Sequence, residues 1–134
     1  MDANHVASLY PNSFGSFRLA GQQGVSLAAT GDATKLVTMP ASKYIVRRIT
    51  LSNFSGAATT CNVGVFTAAG GTGTAIVADA ALGSNGTTGK FVDLTLSATA
   101  NSTVVTNQVL YLNVSTGNAA VTCDVALYGD TVSL

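Results

Sequence analysis

Val121-Thr122-Cys123-Asp124-Val125-Ala126-Leu127-Tyr128 alternates side chains between two faces without a break. Successive side chains of a β-strand point to opposite faces, so Val121, Cys123, Val125 and Leu127 share one and Thr122, Asp124, Ala126 and Tyr128 the other. One dry face and one wet face is the pattern of an antiparallel sheet packed on one side only. No charged or catalytic group stands on the dry face. The chain therefore reads as framework and surface, whose work is binding and assembly.

The same period recurs upstream. From Val25 onward it predicts about eight short strands. They are Val25–Ala29, Lys35–Met39, Lys43–Phe54, Cys61–Thr67, a short one around Ala75–Ala78, Phe91–Leu96, Val109–Val114 and Val121–Tyr128. Turn chemistry separates them: Thr30-Gly31-Asp32-Ala33, the break at Pro40, Gly70–Gly73, and Gly83–Gly89 with Asn85-Gly86 as its tight turn. In Lys43–Phe54, Ile45, Ile49 and Leu51 mark the inward face, with Tyr44, Val46, Arg48 and Thr50 outward. No segment carries a sustained helical period; Ala78–Leu82 reads as one helical turn at most. Many short strands between Gly, Ser, Thr and Asn turns predict an all-β chain, a single antiparallel β-sandwich or jelly roll over 25–134.

Residues 1–24 differ. Tyr10, Phe14 and Phe17 stand there without a sustained period, beside Arg18, and Gly21-Gln22-Gln23-Gly24 closes the segment. Either it is an extended N-terminal arm that lays its aromatics into a neighbouring subunit, or it folds back over its own sheet. Arg47 is the residue the alternation does not explain, because it falls between Ile45 and Ile49 on the inward face. A guanidinium there needs a carboxylate or carbonyls, a stem that packs while its head reaches water, or a bulge that reverses the register. An intersubunit salt bridge is the remaining account.

Composition narrows the function. Of 134 residues 47% are hydrophobic and 9% charged, against about 25% charged in an average soluble domain. Such a surface suits a protein partly covered by others. Six cations balance six carboxylates and are scattered, so neither a nucleic-acid-binding stripe nor a strong net field is present. No apolar run reaches membrane-spanning length, and the first residues lack the basic start and apolar run of a secretion signal. Synthesis in a cytoplasm is the expectation, with Cys61 and Cys123 as reduced core thiols.

Catalytic chemistry is not expected, and neither is a cofactor. The single histidine, His5, stands apart from any serine or cysteine on the strand framework. One His, two separated Cys and no Glu make no zinc site. Asp2, Asp32, Asp79, Asp93, Asp124 and Asp130 are spread one per loop or strand, which argues against a glycosidase pair and leaves a loop Ca²⁺ site as a minor alternative. The Gly-rich stretches have no Gly-Lys-Ser/Thr after them, so they are not phosphate-binding loops. A carbohydrate-binding module is a fairer rival, with Tyr44, Tyr128 and Tyr111 as an outward patch in a chain without Trp.

Lys43-Tyr44-Ile45-Val46-Arg47-Arg48-Ile49-Thr50-Leu51-Ser52-Asn53-Phe54-Ser55 carries a resemblance. Gly73–Ala78, Phe91–Leu96, Leu110–Val114 and Val125–Asp130 continue it in the same order. Together these blocks resemble small jelly-roll decoration, or cement, proteins of tailed-phage capsids. The resemblance implies a homotrimer on the outer surface of the virion head, bridging major capsid protein subunits. It implies no catalytic residues, no nucleic acid and no membrane. Tyr10, Phe14, Phe17, Arg18 and Arg47 are the expected capsid or subunit contacts. A receptor-binding tip or other piece of a tail fibre is the competing reading. The start at Met1 without a repetitive shaft, and loops poor in aromatic and charged groups, favour cement.

Overall fold

Ten-residue β8 (Thr122–Thr131) is the strand on which the first sheet is built, because its alternation leaves it dry on one face and hydrogen-bonded on both edges. The structure, a computed structural model, describes residues 17–37, 43–117 and 120–132. The other strands are β1 (Phe17–Ser26), β2 (Gly31–Val37), β3 (Tyr44–Ser52), β4 (Asn62–Ala68), β5 (Thr72–Ala81), β6 (Val92–Asp93) and β7 (Val109–Thr116). They form two four-stranded antiparallel sheets, in the orders β1-β8-β3-β6 and β2-β7-β4-β5. The chain is an all-β sandwich. Its pairings nest: β1 with β8, β2 with β7, β3 with β6, and β4 with β5. Two further ladders, β3 with β8 and β4 with β7, join the nested pairs into sheets.

Apolar residues of both inner faces fill the space between the sheets. Cys123, Val125 and Leu127 of β8 meet Leu110, Leu112 and Val114 of β7, with Val63 and Val65 of β4, all buried as the alternation predicts. Among the described strands only β4 and β5 are joined as a hairpin within one sheet, through Ala69-Gly70-Gly71. Gly70 and Gly71 sit at φ 74° and 71°, a left-handed pair that residues with a Cβ adopt at a cost.

β3 corrects the expected register. Tyr44 and Val46 are fully buried, then Ile49 and Leu51, so the inward face changes parity along the strand. The cause is a bulge against β8 between Val46 and Arg48. Of the accounts open for Arg47, the bulge and a carboxylate partner both hold. Tyr44, expected outward, is core, and its hydroxyl donates to the Asn107 carbonyl. Tyr128 and Tyr111 stand on different sheets, so the three tyrosines form no common patch.

Other boundaries move for local reasons. Residues 17–24 belong to β1 and pair with β8, so the sandwich takes in the end of the expected arm; Tyr10 and Phe14 lie outside the described residues. The turn after β1 is at 28–30, and Gly31 and Asp32 already pair with β7. β5 continues through Ala80 and Ala81, which pair with Val63 and Asn62, where a helical turn was expected. Asn85-Gly86 is no hairpin turn: Gly83–Asn85 is a short 3-10 turn, and the buried Gly86 accepts from the Ala58 N–H. The strand expected over Phe91–Leu96 shortens to Val92–Asp93. Leu94 N–H still donates to Ile49, but Ser97 N–H donates to Ile76 and its hydroxyl to the Ala75 carbonyl. That crossing ties the end of β6 to the edge of β5.

Candidate functional site

All three arginines stand in the first sheet, Arg18 on β1 and Arg47 and Arg48 on β3. The bulge sends the two neighbours into different surroundings. Arg47 Nε lies 2.7 Å from Asp130 Oδ2, with side-chain exposures of 27% and 10%. Gly129, beside Asp130, makes room for this arrangement. A Cβ there would run into the Ile45 carbonyl oxygen and against Leu19.

Arg48 points outward. Its guanidinium grips Asp93 with two hydrogen bonds, Nε to Oδ1 at 2.6 Å and Nη2 to Oδ2 at 3.2 Å. Its Cζ lies 5.8 Å from the centre of the Phe91 ring, within cation–π range. The Asp93 hydrogen bonds raise the Arg48 pKa above its ordinary value, so it stays charged at any working pH. On β8 the residue opposite Arg48 is Tyr128, and opposite Tyr128 on β1 is Arg18. Cross-strand partners share a face. Arg18, Tyr128, Arg48 and Phe91 thus cross the outside of the sheet as one strip.

Beyond Phe91 the strip opens into a groove of about 610 Å³, lined by Leu82, Asn85, Gly89, Lys90, Phe91, Val92 and Asp93. Leu82 and Val92 supply buried apolar surface, while Phe91 is 52% exposed. That exposure is large for an aromatic ring.

The other described aspartates, Asp32, Asp79 and Asp124, are occupied in holding the fold. Asp32 accepts from the Gly70 N–H and from Asn113 Nδ2, Asp79 from the Ser115 hydroxyl, and Asp124 from the Gly24 N–H and Asn53 Nδ2. Among the described residues, no three of His, Cys, Asp or Glu gather into a metal-sized group. Cys61 and Cys123 are buried free thiols. Burial pushes both pKa values up, Cys123 to about 12 with the nearby Asp124 and Cys61 charges adding to it, so neither is a nucleophile at neutral pH. No described helix is long and apolar enough to cross a membrane.

Of the contact residues expected from sequence, Arg18 lies in the strip and Arg47 is held at the bulge by Asp130. Phe17 opens β1. Sequence reasoning missed Arg48, Lys90 and Phe91. A cation beside an aromatic in Lys90-Phe91, at the end of a Gly-rich loop, was the available signal. No protein family model, curated protein or solved structure matches this chain.

Proposed function

We propose that this chain is a structural virion protein, wound as a jelly roll, that seats as a homotrimer on the outside of a tailed-phage head and stabilises contacts between major capsid protein subunits. The nested pairing of the strands carries the reading. A jelly roll is an antiparallel ribbon of paired strands wrapped around a core, first strand with last and so inward, until the middle two form its only hairpin. β1·β8, β2·β7, β3·β6 and β4·β5 follow that sequence of pairs. In such a fold the inner faces of the two sheets form the core, and contact with partners falls to the outer faces, loops and edges.

The sparse charge supports the same reading. A stable contact buries about 1,200–2,000 Å² in total. A trimer interface plus a capsid footprint would cover a large share of a 13.4 kDa chain, where few charges are then needed for solubility. Three footprints on one rigid trimer bind with avidity, so each can be individually weak. Catalysis has no part in this function.

The test is to separate heads from tails in particles from the source and to measure this chain in each fraction by mass spectrometry. Many copies on heads, with a solution mass of three chains, is the expected result. A few copies on tails only would move the function to adhesion, and absence from both would end the virion reading.

A further inference from the structure

We propose that the strip Arg18–Tyr128–Arg48–Phe91–Lys90, with the groove at its end, docks an extended, carboxylate-bearing segment of a partner protein. For the identity of that partner it rests on the assembly reading above, which makes it a capsid protein segment.

Charge is the first argument. The strip holds three cations, Arg18, Arg48 and Lys90, and one carboxylate, Asp93, in a chain whose net charge is zero. Among the described residues only Arg48 of the three is ion-paired, so Arg18 and Lys90 present charge that the fold does not use. Arg18 extends along its own strand, its guanidinium over Gly21, where any side chain would displace it. An exposed cation lying along a sheet surface meets an incoming carboxylate at little cost in desolvation.

Order is the second. Asp93 on one side and Phe91 on the other fix the Arg48 guanidinium. A long side chain held in this way has already lost the rotamer freedom that binding would otherwise remove. Phe91 is held in turn beside the groove that Leu82 and Val92 line. The partner therefore meets a preformed surface: cations along the strip, an aromatic wall, and an apolar floor.

That combination selects a polypeptide. A sugar would use stacked rings with carboxylates and amides around them, but here a guanidinium separates Tyr128 from Phe91 and one carboxylate is already engaged. Nucleic acid needs several unpaired cations along a phosphate track, and one of these three is neutralised. A peptide carries both groups the site can use, an apolar side chain for the floor and carboxylates for Lys90 and Arg18. Among the described residues β6 lies at the edge of its sheet and pairs with β3 alone, the position at which extended segments add to sheets.

The experiment measures binding of the full chain to a random copolymer of glutamate and tyrosine, with hyaluronate and a single-stranded DNA oligonucleotide as rival probes. The test variant is Lys90→Glu with Phe91→Ser. Lys35→Glu, on the other sheet, is the control, and equal thermal midpoints establish that all remain folded. Wild type and control should bind the copolymer in a salt-sensitive way, and the double variant at least about tenfold more weakly. Equal binding by the double variant, no binding by wild type, or preference for hyaluronate or DNA overturns the assignment. The same proteins are then offered to heads from the source. If wild type and the double variant attach equally, the strip is not the docking surface, though the virion reading stands. If neither attaches while the copolymer result holds, the strip stands and the capsid partner falls.

Discussion

Arg47 and Arg48 are adjacent, each holds one aspartate, and they belong to unlike regions of the molecule. Around Arg47 the sheet is bulged and closed: Asp130 is nearly buried, Gly129 lets the Ile45 carbonyl approach, and Tyr44 and Val46 lie in the core just before it. From Arg48 onward the β3·β8 ladder runs without a shift and the surface is open, with the Arg48 and Asp93 side chains both 51% exposed. The contacts look alike on paper at 2.7 and 2.6 Å. Their energetic meaning differs because water solvates one pair and is largely excluded from the other. Surroundings, more than bond length, decide which pair holds the fold and which is free to serve a partner.

The bulge is where that difference can be broken most forcefully. Gly129→Ala would drive a Cβ into backbone that cannot step aside without undoing the β3·β8 ladder. It should lower unfolding free energy by about 3 kcal/mol, at the upper end of ordinary overpacking costs. A urea midpoint equal to wild type would mean that the bulge has slack, and the contrast between the two regions would lose its basis. Arg47→Ala comes next. Breaking a buried pair costs about 3–5 kcal/mol, and Arg47 is 27% exposed, so about 2 kcal/mol is expected. Removing Asp130 as well should return part of that loss, because the two side chains interact directly and their effects are coupled. A double variant no better than the single one would show that other partners of these residues dominate.

The regular parts of the sandwich were legible because period two depends on sequence alone. β7 and β8 present Leu110, Leu112, Val114, Cys123, Val125 and Leu127 to the core in the expected order. β3 was legible in extent and, past the bulge, in face: Ile49 and Leu51 point inward as expected, while Tyr44 and Val46 before it were misread, since a bulge adds one residue and reverses the alternation across it. Its trace in the sequence was Arg47 on an apolar face, which left a bulge, a carboxylate or carbonyls, a solvent-reaching head and an intersubunit salt bridge open. Asp130 lies 83 residues away, and the approach that demands Gly129 comes from another strand. β6 faded for a similar reason: Phe91–Leu96 alternates well, yet Ser97 finds its partners on β5 and pulls the chain across. The outer strip was hidden because its members come from four strands and a loop, and only the sheet order makes them neighbours.

Arg48→Ala is the smallest change and the most discriminating one. Both partners already face water, so their mutual attraction is screened and removal leaves Asp93 hydrated rather than stranded. The urea midpoint should be indistinguishable from wild type, where Arg47→Ala one residue earlier is clearly shifted. Binding of the glutamate–tyrosine copolymer should weaken, because a fixed cation is lost and the Phe91 ring loses the group stacked near it. A fall in stability as large as that of Arg47→Ala would place Arg48, Asp93 and Phe91 within the framework of the sheet. The strip would then be a brace for the short β6 edge, and its charge would be spent on folding rather than held for a partner.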